Sequence, residues 1–251
     1  MIMKTFDEGD SLPGEIDISK LRKDDLQLGG LMLFQDPERF CFGSDAVFLT
    51  DFVKEGKLRE NAVLADLCTG TGVIPILLSR KIHAGKMYGV EIQKPEAQIA
   101  GINVAYNGLE GLIDILNADI RTLGDILPGG SFDAVTANPP YISREGGLLN
   151  PDTPKTIARH EVKCTLRDVL ECAFFLLKEK GRFFMVHRPQ RLAEILHGMC
   201  ETGIEPKRIR GVYADIQKPP AMLLIEGRKH GGSGMWVDPP LVLNGKGWDV
   251  G

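Results

Sequence analysis

At 251 residues and 43% hydrophobic side chains, the chain has the apolar material for one full doubly wound α/β core, and a split in two would leave each half small. The formal charge of −4 does not announce a nucleic-acid binder, no stretch of about eighteen apolar residues offers a membrane span, and the polar, acidic Met1 to Asp10 does not read as a signal peptide. Five cysteines, an odd number without CxxC spacing, point to reduced thiols in a cytoplasm, and five histidines without paired ligand spacing predict no metal.

Residues 1–40 read as a short N-terminal appendage in which Leu28-Gly29-Gly30-Leu31-Met32-Leu33-Phe34 is a hairpin candidate. A helix is predicted to start at Ser44-Asp45, with either residue available as N-cap, and to run to about Val53. Strand and helix then alternate from Ala62 to about Ala193, the pattern of a mostly parallel sheet covered on both faces. Pro206–Tyr213 and Ala221–Gly227 are predicted to close it as an antiparallel pair, giving seven strands.

The first of these strands, Ala62 to Leu67, leads into Cys68-Thr69-Gly70-Thr71-Gly72 and the apolar helical stretch Val73 to Leu78, a strand, glycine turn and helix that make a ligand cradle. The dinucleotide fingerprint fails because its third glycine would fall at Pro75, and the phosphate-loop pattern fails because no Lys-Ser or Lys-Thr pair follows the glycines. Asp66, at the strand end before the glycines, suits a ligand with an ammonium group, and S-adenosylmethionine is such a ligand. A second apolar run ends in Glu91, about twenty residues on, where a carboxylate takes ribose hydroxyls. A third, Ile113 to Ala118, leads to Asp119, placed to accept a hydrogen bond from an adenine amino group. Each acid alone is more often a solvated loop residue or a helix N-cap; three at consecutive strand ends form a pattern.

The fourth run, Phe132 to Ala137, delivers Asn138-Pro139-Pro140-Tyr141 to its C-terminal edge. An exocyclic amino or amide nitrogen is a poor nucleophile because its lone pair is delocalised. The Asn138 side-chain oxygen and the Pro139 carbonyl can accept both of its protons, favouring a tetrahedral nitrogen, while Tyr141 offers a flat stacking face and the prolines stiffen the loop. The plain alternative is a Pro-Pro turn after a strand. Asp238-Pro239-Pro240-Leu241 imitates the tetrapeptide but has leucine in the stacking position and reads as a C-terminal turn.

Together, Asp66 to Gly72, Glu91, Asp119 and Asn138-Pro139-Pro140-Tyr141 resemble the ordered motifs of class I S-adenosylmethionine-dependent methyltransferases that act on amino groups. Phe42 to Leu49, Ala158-Arg159-His160-Glu161, Val186 to Pro189 and Ile204 to Arg208 resemble the bacterial tRNA (valine) adenine-N(6) methyltransferases, over residues 25–245. The resemblance implies a Rossmann-like domain over residues 41–251, a cofactor site of Asp45, Asp66, Cys68, Gly70, Gly72, Glu91, Ile92, Asp119, Ile120 and Asn138, and methylation of an adenine in tRNA next to the anticodon. In relatives the Asp45 segment lies against the cofactor, so Asp45 either binds the methionine ammonium or caps its helix. Cys68 stands where the superfamily often has its first glycine; it reads as a reactive thiol or as a small filler beside the loop. Lys218-Pro219-Pro220 is richer in proline than the corresponding connection of relatives.

The RNA itself is expected to meet Arg159, His160, Arg188, Lys207 and Arg208. From Lys178 to Arg191 five cations (Lys178, Lys180, Arg182, Arg188, Arg191) stand against Glu179 alone, and Lys207, Arg208 and Arg210 form a second cluster; solvated helix ends and strand edges give the same pattern. The polar segment Ser143 to Lys163 is long enough to close over a substrate, or to be a plain surface loop. Glutamine-amide methylation uses the same tetrapeptide, though with an N-terminal helical recognition domain that about 40 residues cannot supply. DNA adenine methylation calls for a target-recognition domain, and a cofactor-binding RNA chaperone with an idle pocket is the non-enzymatic alternative.

Overall fold

Alternating β-branched and aliphatic runs, punctuated by glycine turns, build the strands and helices in the order β1 (Arg22–Asp25), β2 (Met32–Gln35), α1 (Ser44–Glu55), β3 (Ala62–Leu67), α2 (Val73–Lys81), β4 (Ala84–Glu91), α3 (Lys94–Tyr106), β5 (Ile113–Asn117) and β6 (Phe132–Ala137). There follow α4 (Leu166–Leu176), β7 (Leu177–His187), α5 (Leu192–Thr202), β8 (Ile204–Tyr213), β9 (Met222–Lys229), β10 (Trp236–Val237) and β11 (Leu241–Val242). These elements come from a computed structural model that describes residues 16–39, 41–139 and 164–243.

The main sheet has the strand order β10-β8-β9-β7-β6-β3-β4-β5, with β11 also beside β8. Strand β9 runs antiparallel to both neighbours, and every other pair in this sheet is parallel. The Rossmann-like architecture is the expected one, including the closing pair β8 and β9. It differs in strand count: the sheet has nine strands because Asp238-Pro239-Pro240, read as a C-terminal turn, instead links two two-residue strands that pair with the edge of β8.

Period-two alternation divides the core between the two faces of the sheet. Leu64, Met87, Ala134, Phe184 and Leu224 point to one face, where α1, α2 and Val104 of α3 cover them. Ala65, Val90, Val135, Phe183 and Ile225 point to the other, beneath α4 and α5. A capping box starts α4: Thr165 Oγ1 accepts from the Asp168 amide while the Asp168 carboxylate accepts from the Thr165 amide.

The expected hairpin forms, with Leu28 to Gly30 in its turn and Met32–Gln35 as its second strand. Leu26, Leu31 and Leu33 enter the α1–α2 side of the core, and Asn103 of α3 and Asn107, its C-cap, accept from the Phe34 and Met32 amides at 2.6 and 2.9 Å. The start of α1 departs from expectation. Its N-cap is Gly43, which has no side chain with which to cap, so neither Ser44 nor Asp45 fills that position, and the Asp45 carboxylate is available to other partners.

Candidate functional site

The site lies along the C-terminal ends of β3, β4, β5 and β6, where the chain reverses the direction in which it adds strands, the place where open parallel sheets bind ligands. Register places the pieces. Leu67 pairs with Val90 on one side and Ala137 on the other, so the turn from Cys68 to Gly72 leaves the sheet beside Glu91 and beside Asn138.

The turn takes a tight path that glycine makes possible. Gly70 and Gly72 have φ of +56° and +83°, and a Cβ on Gly70 would project into open space. Cys68 also has a left-handed φ, +59°, which explains why glycine suits this position in relatives and assigns a local cost to the cysteine. A hydrogen bond with the Cys164 thiol and burial push its thiol well above the ordinary range, which disfavours the thiolate form there. Asn103, fully buried on α3, donates to the Thr71 and Phe34 carbonyls and so ties the turn to the hairpin.

The acids differ in what they lack. Asp66 is 3% exposed; Thr136 Oγ1 donates to its Oδ1 at 2.6 Å, while Oδ2 is buried with no hydrogen-bond partner among the described residues. Burial pushes its carboxyl up to about 7. Glu91 is also buried; its oxygens accept from the Gly70 and Gln93 amides at 3.0 and 2.9 Å, and burial raises its pKa. Asp119 caps a short 3-10 helix, Ile120–Asp125, and pairs with Arg121 at 2.5 Å, whose hydrogen bond to it lowers its pKa. Cys68, Glu91, Ile92, Asp119, Ile120 and Cys164 line one cleft with Val90. Asn117 holds the Glu91 and Ile92 carbonyls at 2.9 and 3.1 Å, fixing the cleft wall.

An orphaned buried carboxylate oxygen, a glycine cradle and a cleft between two isoleucines with acids at its rim fit the ammonium, methionine chain and adenosine of S-adenosylmethionine. Within the turn, the Thr69, Gly70 and Gly72 amides are engaged by the Val90 carbonyl, the Glu91 carboxylate and the Thr69 carbonyl, which does not suit a phosphate cradle.

Asn138 follows β6, and its Nδ2 donates to Asp45 Oδ2 at 3.0 Å. Asp45 is buried at the start of α1, with Oδ1 accepting from the Ala46 amide at 2.9 Å. Sequence reading had no signal for this pairing, since 93 positions separate the two residues. For Asn103 there was one: an asparagine within the apolar stripe Ile99, Ala100, Val104. Pro139 is buried beside Asn138, whereas Pro140, Tyr141, Arg159 and His160, with the segment Ser143 to Lys163, lie outside the described residues.

Arg188 is exposed just beyond β7, where its amide donates to His187 Nδ1 at 2.8 Å; burial lowers His187 to about 4 and keeps the ring neutral. Lys207 and Arg208 are committed within the molecule. Lys207 donates to the Gly232 and Gly234 carbonyls. Arg208 stacks 3.9 Å from the Phe52 ring centroid, lies 3.1 Å from Glu226 and donates to the Phe52 carbonyl at 2.9 Å. Arg210 pairs with Glu55 and Asp238 at 2.8 and 3.0 Å. This second cluster pins α1 and the C-terminal segment to the sheet edge, a different role from the RNA contact expected of Lys207 and Arg208.

The family described as the methyltransferase small domain matches residues 39–202. The chain is 28% identical over 191 residues to the tRNA1(Val) (adenine(37)-N6)-methyltransferase of Porphyromonas gingivalis, covering 74% of this chain and 73% of that protein. It is 27% identical over 183 residues to the release factor glutamine methyltransferase of Mycolicibacterium smegmatis, covering 70% and 63%. Among solved structures, a predicted O-methyltransferase from Agrobacterium tumefaciens superposes with a TM-score of 0.63 at 20% identity, over 80% of this chain and 88% of that one.

Proposed function

The chain belongs to the methyltransferase small domain family and is an S-adenosylmethionine-dependent methyltransferase, and from that premise we propose that its acceptor is the exocyclic amino nitrogen of an adenine in tRNA, next to the anticodon. The observation that carries the reading is the register of β3 and β6, which sets Asn138 beside the cofactor turn. The name of the Porphyromonas gingivalis relative supports the tRNA substrate. The assignment of residues 1–40 as appendage and 41–251 as catalytic domain belongs to the same proposal, as does a cytoplasmic location; among the described residues no helix is long and apolar enough to cross a membrane.

When bound, S-adenosylmethionine supplies an electrophilic methyl group. Asp66 would hold the ammonium and Glu91 the ribose hydroxyls, Ile92 and Ile120 would line the place of the adenine, and Asp119 would accept a hydrogen bond from its amino group. Gly70 and Gly72 bend the backbone out of the ligand's way. Asn138 Oδ1 and the Pro139 carbonyl accept the two protons of the target nitrogen, which draws its lone pair out of the ring and aims it for in-line attack. Pro140 stiffens this loop, Tyr141 stacks the splayed base, and Arg159, His160 and Arg188 contact the surrounding RNA. No strong base is needed at Asn138, because the nitrogen becomes more acidic as it is alkylated and its surplus proton leaves to water.

Glutamine-amide methylation of a protein remains a second reading because of the Mycolicibacterium smegmatis relative. Methyl-labelled cofactor incubated separately with unmodified tRNA, duplex DNA and a glutamine-containing release factor separates the two. N(6)-methyladenine in digested tRNA is the expected product; label in the release factor would transfer the assignment to amide methylation, and label in none would favour an idle cofactor pocket.

A further inference from the structure

Asn138 can serve an amino-group substrate only if its oxygen, and not its NH2, faces that substrate. The two ends of a side-chain amide are nearly the same size, and a half-turn about the terminal bond exchanges an acceptor for two donors. Something must hold the productive orientation. The Asn138 Nδ2 donates to Asp45 Oδ2 at 3.0 Å, and a carboxylate, which only accepts, faces the NH2 end and turns the oxygen away from itself. Asp45 is itself fixed: it is 7% exposed, its Oδ1 accepts from the Ala46 amide at 2.9 Å, and its helix is anchored by the fully buried Leu49 and Phe52.

We propose that Asp45 is a positioning residue that locks the Asn138 amide with its oxygen toward the acceptor nitrogen, in place of the cofactor-binding or capping roles that its sequence position suggested. The inference rests on the amino-nitrogen reading above. The Ala46 amide requires an oxygen at one end of residue 45. An asparagine there therefore presents its NH2 to Asn138, which turns its oxygen inward and offers donors where the substrate's own donors arrive.

Asp45→Asn is expected to lower kcat roughly 100-fold, the size of losing one preorganised transition-state hydrogen bond, with cofactor affinity within about twofold of wild type by equilibrium dialysis. Asn138→Asp alone sets two carboxylates against each other and lowers kcat similarly. In Asp45→Asn/Asn138→Asp the exchange is complementary: the new carboxylate accepts from the new amide with one oxygen and keeps the other as an acceptor for substrate, so kcat recovers by at least about tenfold over either single variant. A double variant no better than the poorer single one overturns the proposal.

A second readout does not depend on turnover. In nitrogen-15 spectra the Asn138 side-chain NH2, identified by its loss in Asn138→Ala, is expected to show one proton shifted downfield by the carboxylate and to move back in Asp45→Asn. No shift in wild type overturns the proposal even where the variants fold poorly. If the wild type shows the locked amide but leaves tRNA adenine unmethylated, the substrate reading fails and the positioning role stands; kcat is then compared on whichever substrate takes label.

Discussion

Asp66 and Asp133 sit on adjacent strands near opposite ends of one sheet, in opposite circumstances. Asp133, at the start of β6, accepts from the Arg59 guanidinium at 2.7 and 2.8 Å, the Val63 amide at 2.9 Å and Lys178 at 3.0 Å. Burial raises its pKa, but these four bonds outweigh that effect and hold it at about 2. Asp66, at the end of β3, is more deeply buried, and burial outweighs the lowering by Thr136 and Thr69 and carries it to about 7. Where the sheet begins, charge is satisfied within the chain; where it ends, a carboxylate is left short of partners that a cationic ligand can supply. The first end is satisfied within the chain, and the second leaves a buried carboxylate oxygen without a hydrogen-bond partner among the described residues.

The largest effect that sharpens this contrast is expected at the catalytic end. Asn138→Ala should cut kcat by roughly 100- to 1000-fold and leave cofactor affinity intact, read by turnover and equilibrium dialysis on one preparation. Equal loss of both would deny Asn138 its separate role. Next comes the exchange between the two aspartates. Asp66→Asn should weaken cofactor binding about 10- to 100-fold without lowering the melting temperature, because the change removes a charge that the folded protein hardly satisfies. Asp133→Asn should do the reverse, costing about 1–3 kcal/mol of stability in denaturant titration with cofactor affinity unchanged. If both variants lost affinity alike, the division of labour between the ends would be broken.

A smaller effect follows from protons. The folded chain keeps Asp66 protonated up to about 7 while the unfolded chain releases that proton near 4, so the folded state binds more protons in this window and stability falls as pH rises through it. Cofactor affinity changes in the other direction, because an ammonium prefers the carboxylate: it should fall up to tenfold per unit as pH drops below about 7, and Asp66→Asn should flatten that slope, measured by calorimetry. The smallest effect is at His187. Its folded pKa is depressed to about 4, so the unfolded chain takes up a proton first, and the stability it contributes is present above about 6.5 and lost as pH falls toward 4; His187→Gln should remove that component from the pH profile of unfolding.

The strand ends were legible because each acid follows an apolar run, and a parallel sheet places the ends of its strands along one edge. Asp66, Glu91, Asp119 and Asn138 could therefore be brought together from sequence without knowledge of any contact. What sequence could not show is where long-range partners come from. Asp45 read as a helix cap or an ammonium ligand, whereas one of its partners is Asn138, which arrives from just beyond β6. Arg208 and Arg210 looked like a phosphate-binding cluster because cations are visible in a row, whereas their acids come from α1, β9 and Asp238. Cys164 joins Cys68 in the cleft across a separation that carries no periodic signal.

Strands β10 and β11 bear on how this molecule behaves among copies of itself. The outer edge of β8 would otherwise be a long open ladder, and such an edge recruits any strand that meets it. The chain covers it with two two-residue stubs, opposite Arg208 and Ile209 and opposite Val212 and Tyr213, joined through Pro239 and Pro240, which carry no amide hydrogen. An approaching strand thus finds an interrupted template, even though Trp236 and Val237 are 77% and 79% exposed there. The segment that mimics the catalytic tetrapeptide thus covers the β8 edge of the sheet without offering a continuous ladder of its own.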